Sequence, residues 1–454
     1  MKNPSGAVAE FVASLKLDWV PPNVLDKAKL LILDTCGIAL ASSTMDFGRM
    51  TIEVSRSLGG AEKSRIIGTP WRVASANAVL ANGTLAHGLD YDDTLEGAVV
   101  HTGCCVVTTA MAVAEEMGST GRQLLEAVVA GIEIMGKIGL AVPGKFPARG
   151  FHSTGLCGTF GAAASAAKLY GVNPTQMMDA FGICGSQSSG ILECLIDGSW
   201  SKRLHAGWAA HAGIIAVLLA AEGFRAPHSV FEGRHGFYQA FAGEAGEQLK
   251  PLLESLGKSW EIPRITFKTY PCGSISHPYM DCAQRLRQVH GVEDIFEVRC
   301  RTAEGVIPIL WEPLTEKRRP STSYGAKFSL PYSIAVMLVR GKAGLEEFSE
   351  ESIRDPQVLA LAAKVNYELD PSIDFPRHFS GHVRVILKDG GILEESQPYP
   401  RGGLETPLPP EELIAKFRAN AGMALSAEKV ERVIAYVRSL EELPSIKELT
   451  DLLW

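Results

Sequence analysis

The feature that most constrains this chain is a succession of helical segments filling about its first 260 residues, built largely from small apolar side chains. Residues 24–41 (VLDKAKLLILDTCGIALA) set Leu25, Ala28, Leu31, Ile32 and Thr35 three and four residues apart, one apolar stripe. Pro21 and Pro22 come just before it, where a missing N–H does no harm. Residues 73–86, 103–117, 120–138, 154–170, 173–185 and 204–222 repeat the theme. Many of these segments are dense in Ala and Gly, and the chain has 45 glycines in 454 residues. Such helices are apolar on more than one side, which predicts a buried bundle with closely approaching backbones rather than surface amphipaths. Val172-Asn173-Pro174 places a capping side chain before a first-turn proline, a clean helix start.

The texture changes near Pro263. Residues 265–268 and 296–300 have strand composition, and 383–388 and 392–396 flank Asp389-Gly390-Gly391 as a β-hairpin. Between them, 333–339 and 355–365 look helical. From Pro407 onward the chain is helical again: Pro410-Glu411-Glu412-Leu413 opens one helix and 426–439 forms another. The expected architecture is mainly α, with a large helical domain made from 1–264 and 399–454 and a smaller α+β domain inserted at 265–398.

Lys plus Arg number 44 against 51 Asp plus Glu, a formal charge of -7, and no basic block occurs. That argues against a nucleic-acid partner, although one pocket could still hold a small anion. The nine cysteines are spread out and form no C-x-x-C pair. They predict a reducing compartment with no disulfide framework, iron–sulfur cluster or structural zinc. The N-terminus lacks the form of a signal peptide, and the most apolar stretches, 127–132 and 212–221, look too short to span a bilayer. A cytoplasmic protein without membrane contact is expected.

Five segments could carry chemistry. His87-Gly88-Leu89-Asp90-Tyr91-Asp92-Asp93-Thr94-Leu95-Glu96 gathers four acidic groups and a histidine. It reads as a capped helix end, a site for a hard cation such as Mg²⁺, or an acid–base site without metal. Asp92-Asp93-Thr94-Leu95-Glu96 fits the DDxxD pattern with which prenyl-diphosphate synthases hold magnesium, but that reading needs a second acidic motif, and none follows residue 150. His101 and His152 each stand beside a small-residue helix start, His152 close to Arg149. Lys202, Arg203 and His205 enter an apolar helix together, against the helix dipole unless they face an anion. Lys268 precedes a turn, and Cys272, with no adjacent base in sequence, reads as inert.

In this order the segments resemble the MmgE/PrpD family. The match includes His87-Gly88-Leu89-Asp90-Tyr91-Asp92-Asp93-Thr94, Gly150-Phe151-His152-Ser153-Thr154 and Lys202-Arg203-Leu204-His205-Ala206-Gly207. It continues through Phe267-Lys268-Thr269-Tyr270-Pro271-Cys272, Ala326-Lys327-Phe328-Ser329-Leu330-Pro331-Tyr332 and Tyr399-Pro400-Arg401-Gly402. The family includes 2-methylcitrate dehydratase, cis-aconitate decarboxylase and an iminodisuccinate epimerase. The resemblance implies a helical domain with an α+β lid, a homodimer, and no metal or organic cofactor. It implies a catalytic set of Asp90, Thr94, His101, His152, Lys202 and Lys268. Arg203, Arg149, His205, Tyr91 and Cys272 are the expected substrate-binding residues. The sequence departs at His101-Thr102-Gly103, where many members have His-Pro, and at Lys202-Arg203, where decarboxylases tend to have Lys-Pro; the second change adds Arg203 as a carboxylate partner. The expected activity is a cofactor-independent lyase, dehydrating or decarboxylating a small di- or tricarboxylate such as 2-methylcitrate or cis-aconitate. The alternative is an epimerase of a dicarboxylate resembling iminodisuccinate.

Overall fold

Residues 3–287 and 291–454 are described by a computed structural model. The chain divides into two compact units, one of Met1–Leu192, Ser201–Ile265 and Pro409–Trp454, the other of Glu193–Trp200 and Thr266–Leu408. The protein is 58% helix and 8% strand.

In the first unit, helices Ser75–His87, Gly103–Met117, Gly121–Leu140, Ser153–Tyr170 and Ser201–Ala221 pack on one another. Pro22–Ser43 lies between Ser75–His87 and the helix Pro410–Ala421. Local chemistry sets the ends. Asn173 accepts from Gln176 N and Gln176 reaches back to it, with Pro174 in the first turn; Thr120 and Gln123 form the same reciprocal cap. The close approach predicted from small residues is realised at Gly83 and Gly207. A Cβ on Gly83 would stand 2.7 Å from Gly207 Cα, so Ser75–His87 and Ser201–Ala221 touch backbone to backbone. His87 follows Gly83 by one turn and Lys202 precedes Gly207 by about one turn, so this contact helps bring the two side chains together.

The apolar run of Ser201–Ala221 is longer than the sequence reading allowed. At 21 residues and a mean hydropathy of 1.6 it is long and apolar enough, by length and composition, to cross a membrane; 56% of that window is buried within the protein, as in a core helix.

The second unit holds a four-stranded sheet in the order Val365–Leu369, Ile295–Thr302, Gly381–Leu387, Ile392–Gln397. The first pair is parallel and the others antiparallel, the last being the expected hairpin. Val383, Val385 and Leu387 point to one face and pack with Val298, Cys300, Tyr279 and Met280 in an apolar core. Helix Leu330–Arg340 contains the expected 333–339. Two expectations are corrected. Helix Pro356–Ala362 stops before β-branched Val365, which begins a strand instead. Residues 265–268 form no strand; Phe267 N donates to Gly402 O at 3.1 Å, and Pro263 and Pro271 bracket the segment and limit any ladder.

Candidate active site

The acidic segment leaves helix Ser75–His87 through a strained turn. Asp90 has φ of 53° and Val99 φ of 52°, left-handed values that a β-branched residue adopts only under constraint. The constraint is visible at Asp93. Its carboxylate accepts from Thr102 N at 2.8 Å, Thr102 Oγ1 at 2.6 Å and Gly103 N at 2.8 Å, capping helix Gly103–Met117. Burial and neighbouring Asp92 push its pKa up to about 6, against the pull of those donors.

Asp92 Oδ2 lies 2.7 Å from His87 Nδ1, both side chains being buried. A carboxylate acceptor there places the proton on Nδ1, leaving His87 Nε2 to accept from Lys202 Nζ at 3.1 Å. Lys202 Nζ also pairs with Asp90 Oδ1 at 2.9 Å. The chain Asp92–His87–Lys202–Asp90 therefore runs as alternating acceptors and donors through the interior.

Three further imidazoles adjoin it. The His87 ring centroid lies 5.0 Å from that of His101 and 5.3 Å from that of His152, and His152 lies 5.2 Å from His205. His101 Nδ1 is 2.7 Å from the Asp93 carbonyl, which can only accept, so Nδ1 carries the proton and Nε2 the lone pair. Thr94 Oγ1 stands 3.2 Å from the same Nδ1, and Thr154 Oγ1 accepts from His101 N at 3.1 Å. His152 N donates to Gly190 O at 2.9 Å, and its Nδ1 lies 3.1 Å from His205 Nδ1. Burial first, then Lys202, His87, His205 and His101, hold the His152 pKa well below its ordinary value. His205 is lowered to about 4 by burial, His87 and Lys202. Both imidazoles are neutral at pH 7.

The first unit thus brings Asp90, Thr94, His101, His152, Lys202 and His205 into one cluster. Arg203 is buried with its guanidinium 4.1 Å from the Phe47 ring centroid. Tyr91 is turned towards helix Pro410–Ala421: Lys416 Nζ lies 3.8 Å from its ring centroid, donates to its carbonyl and pairs with Asp34. Arg149 is exposed, with its guanidinium beside Gly243. Lys268 and Cys272 belong to the second unit. Lys268 is fully buried. Cys272 is buried in the apolar core with Sγ 3.6 Å from Met280 Sδ.

His87, Asp92 and Asp93 were outside the expected catalytic set, yet they organise the site. Their signal in the sequence was the acidic run itself; the turn that separates their tasks was not readable. His87, Asp92 and Cys104 also offer ligand atoms within 4.8 Å of one another. The donor set fits a cation poorly. Both His87 nitrogens are engaged, a lysine ammonium adjoins one of them, and the Cys104 thiol, pushed well up by burial, donates to His101 O.

Buried imidazoles beside a carboxylate–ammonium pair, in a mainly helical unit, are groups able to exchange protons. Sequence comparison then assigns the lineage: residues 6–250 match the MmgE/PrpD N-terminal domain and 270–442 the MmgE/PrpD C-terminal domain, so the chain belongs to the MmgE/PrpD family. It is similar to the cis-aconitate decarboxylase of Aspergillus terreus, 28% identical over 99% of this chain and 96% of that protein. It is equally similar to that of Homo sapiens, 28% identical over 100% of this chain and 95% of that one. A mitochondrial 2-methylcitrate dehydratase of Yarrowia lipolytica is 22% identical, covering 94% and 85% respectively.

Proposed function

We propose that the protein is a lyase that removes CO₂ or water from a small di- or tricarboxylate by proton transfer next to a carboxylate, using side chains alone. The observation that carries this reading is the grouping of His101 and His152 around the Lys202–Asp90 pair, with both functional ends of the reaction represented. A histidine with a bare Nε2 accepts a proton, and an ammonium neutralises charge developing on a carboxylate. His101 has that acceptor by its tautomer. Lys202, with Arg203, supplies the carboxylate partners implied by the family resemblance. In decarboxylation the C–C bond breaks, its electron pair spreads as an enediolate, and the carbon takes a proton from histidine. In dehydration histidine first takes the proton beside the carboxylate, and hydroxide leaves with a proton.

A homodimer belongs to the same proposal. Helix Asp46–Leu58 turns Met50, Val54 and Leu58 outward at 59%, 53% and 55% exposure, an apolar ridge suited to a second copy. So does a reducing, cytoplasmic location, which suits nine free buried cysteines.

The test is incubation with citrate, 2-methylcitrate, cis-aconitate and iminodisuccinate, read by mass spectrometry and chiral chromatography. Loss of CO₂ or water supports the lyase. Unchanged mass with inverted stereochemistry makes the protein an epimerase, and no turnover of any polycarboxylate defeats the proposal.

A further inference from the structure

We propose that His205 is a positioning residue that relays a proton to His152, so that a neutral imidazole can serve as the acid of the reaction. The inference rests on the reading of His152 as a proton carrier.

The geometry is a nitrogen-to-nitrogen pair. His152 Nδ1 and His205 Nδ1 are 3.1 Å apart. Two bare ring nitrogens cannot hydrogen-bond, and two protonated ones repel, so the pair shares one proton. The ring that donates from Nδ1 has a bare Nε2, and its partner presents Nε2–H. The two outer nitrogens therefore have opposite characters, and moving the shared proton as one outer proton leaves and another enters exchanges them. His152 is 5% exposed, whereas His205 is only partly buried and so reaches towards solvent from this pair. One glycine fixes both rings. Gly190 accepts from His152 N through its carbonyl, and a Cβ on it would fall 3.1 Å from His205 Cγ and Nδ1. Its φ of 118° admits a side chain only with strain.

Burial and the Lys202 ammonium keep the pair at a single shared proton. Lys202, His87 and His101 face His152, and His87 and Lys202 face His205; none of them is an anion. A neutral imidazole that lost its Nε2 proton unaided would be left as imidazolate, which is far too basic to form at neutral pH. The relay removes that obstacle. In decarboxylation the broken C–C bond leaves its electron pair on the substrate carbon, and that carbon takes the His152 Nε2 proton. The shared proton passes from His205 Nδ1 to His152 Nδ1, and His205 Nε2 takes one proton from solvent buffer. One proton enters and one leaves, and both rings end neutral. The tautomers reset when product release admits water. In dehydration the proton taken from carbon and the proton given to the departing hydroxide run the same exchange in opposite directions.

The test uses the full-length protein and the polycarboxylate it turns over. His205→Gln can still donate an amide N–H towards His152 Nδ1 but cannot relay; kcat should fall about 10²-fold with KM little changed. His205→Ala should fall similarly and recover in a saturable way when imidazole is added to the buffer. Wild-type kcat in His205→Gln, or loss in His205→Ala that imidazole does not restore although circular dichroism and melting are normal, overturns the relay. Nitrogen-15 spectra of histidine-labelled protein give a readout without turnover: both Nδ1 atoms protonated, or both bare, also overturns it. Full activity in His152→Ala instead sinks the reading underneath, and is a separate result.

Discussion

Gly207→Ala tests the backbone contact that delivers Lys202 to His87 and Asp90. The added Cβ would fall 2.2 Å from Leu80 O and 2.4 Å from Thr84 Oγ1. A carbon–oxygen contact needs roughly 3.3 Å, so helices Ser75–His87 and Ser201–Ala221 must part by about 1 Å. Two effects oppose each other. Alanine in a helix interior is favoured over glycine by about 1 kcal/mol. Overpacking costs about 1–3 kcal/mol, at the upper end when the obstacle is backbone that cannot rotate away. Overpacking wins, and a net loss of about 1–2 kcal/mol is expected from urea denaturation. Activity should suffer more. Separation lengthens the 3.1 Å contact between Lys202 Nζ and His87 Nε2 and disturbs the 2.9 Å contact to Asp90 Oδ1. A displacement of about 1 Å at a positioned group costs on the order of 10²-fold in kcat/KM. A Gly207→Ala variant more stable than wild type, with unchanged turnover, would mean that propensity alone decides at this position and that the helices do not meet here.

Two further perturbations separate scaffold from chemistry. Asp93→Ala removes the acceptor of Thr102 N, Thr102 Oγ1 and Gly103 N; at about 1–3 kcal/mol per stranded buried donor, differential scanning calorimetry should show a loss of roughly 3 kcal/mol or more. Glu133 is buried near Lys137, accepts from Glu261 N and Ile262 N, and has its pKa raised by burial from 4.5 to about 8. Between those values the folded state keeps a proton the unfolded chain has released, so this group's contribution to stability is greatest below 4.5 and falls as pH rises to about 8. Glu133→Gln should flatten the pH dependence of stability across that window in urea titrations; an unchanged slope would assign the dependence to other groups.

The helical unit was legible because its signals are local. Asn173 and Pro174 announce a start that no tertiary contact has to supply, and the small residues of 73–86 and 204–222 carry their own reason for close packing. The 265–268 segment misled because Ile265, Thr266 and Phe267 have β composition, but a strand also needs a neighbouring ladder, which is a property of the whole fold. In the site, residue types pointed to the acidic run, His101, His152 and Lys202, and the family resemblance singled out Asp90 within that run. The division of labour within the acidic run could not be read, since it depends on the left-handed turn at Asp90, and neither that residue nor Val99 is a glycine that would mark one. Asp93 looks as catalytic in sequence as Asp90, yet its carboxylate is spent on a helix N-terminus while its carbonyl fixes the His101 tautomer.

Lys202 has an electrostatic task besides meeting a carboxylate. Its ammonium is among the groups that hold His152 and His205 neutral, next in size to burial for His152. A neutral imidazole is the form able to accept a proton, so the same cation that stabilises developing negative charge also keeps the base ready. Asp90, paired with Lys202, moderates that field and holds the ammonium in place. Replacing Lys202 by Met should therefore raise both imidazole pKa values, moving His205 up from about 4 towards the ordinary histidine range. Histidine ring chemical shifts followed by NMR from pH 4 to pH 8 read this directly, without any need for turnover. Unchanged titration midpoints in Lys202→Met would refute the assignment, leaving burial alone to keep the imidazoles neutral and Lys202 with no hold on the base.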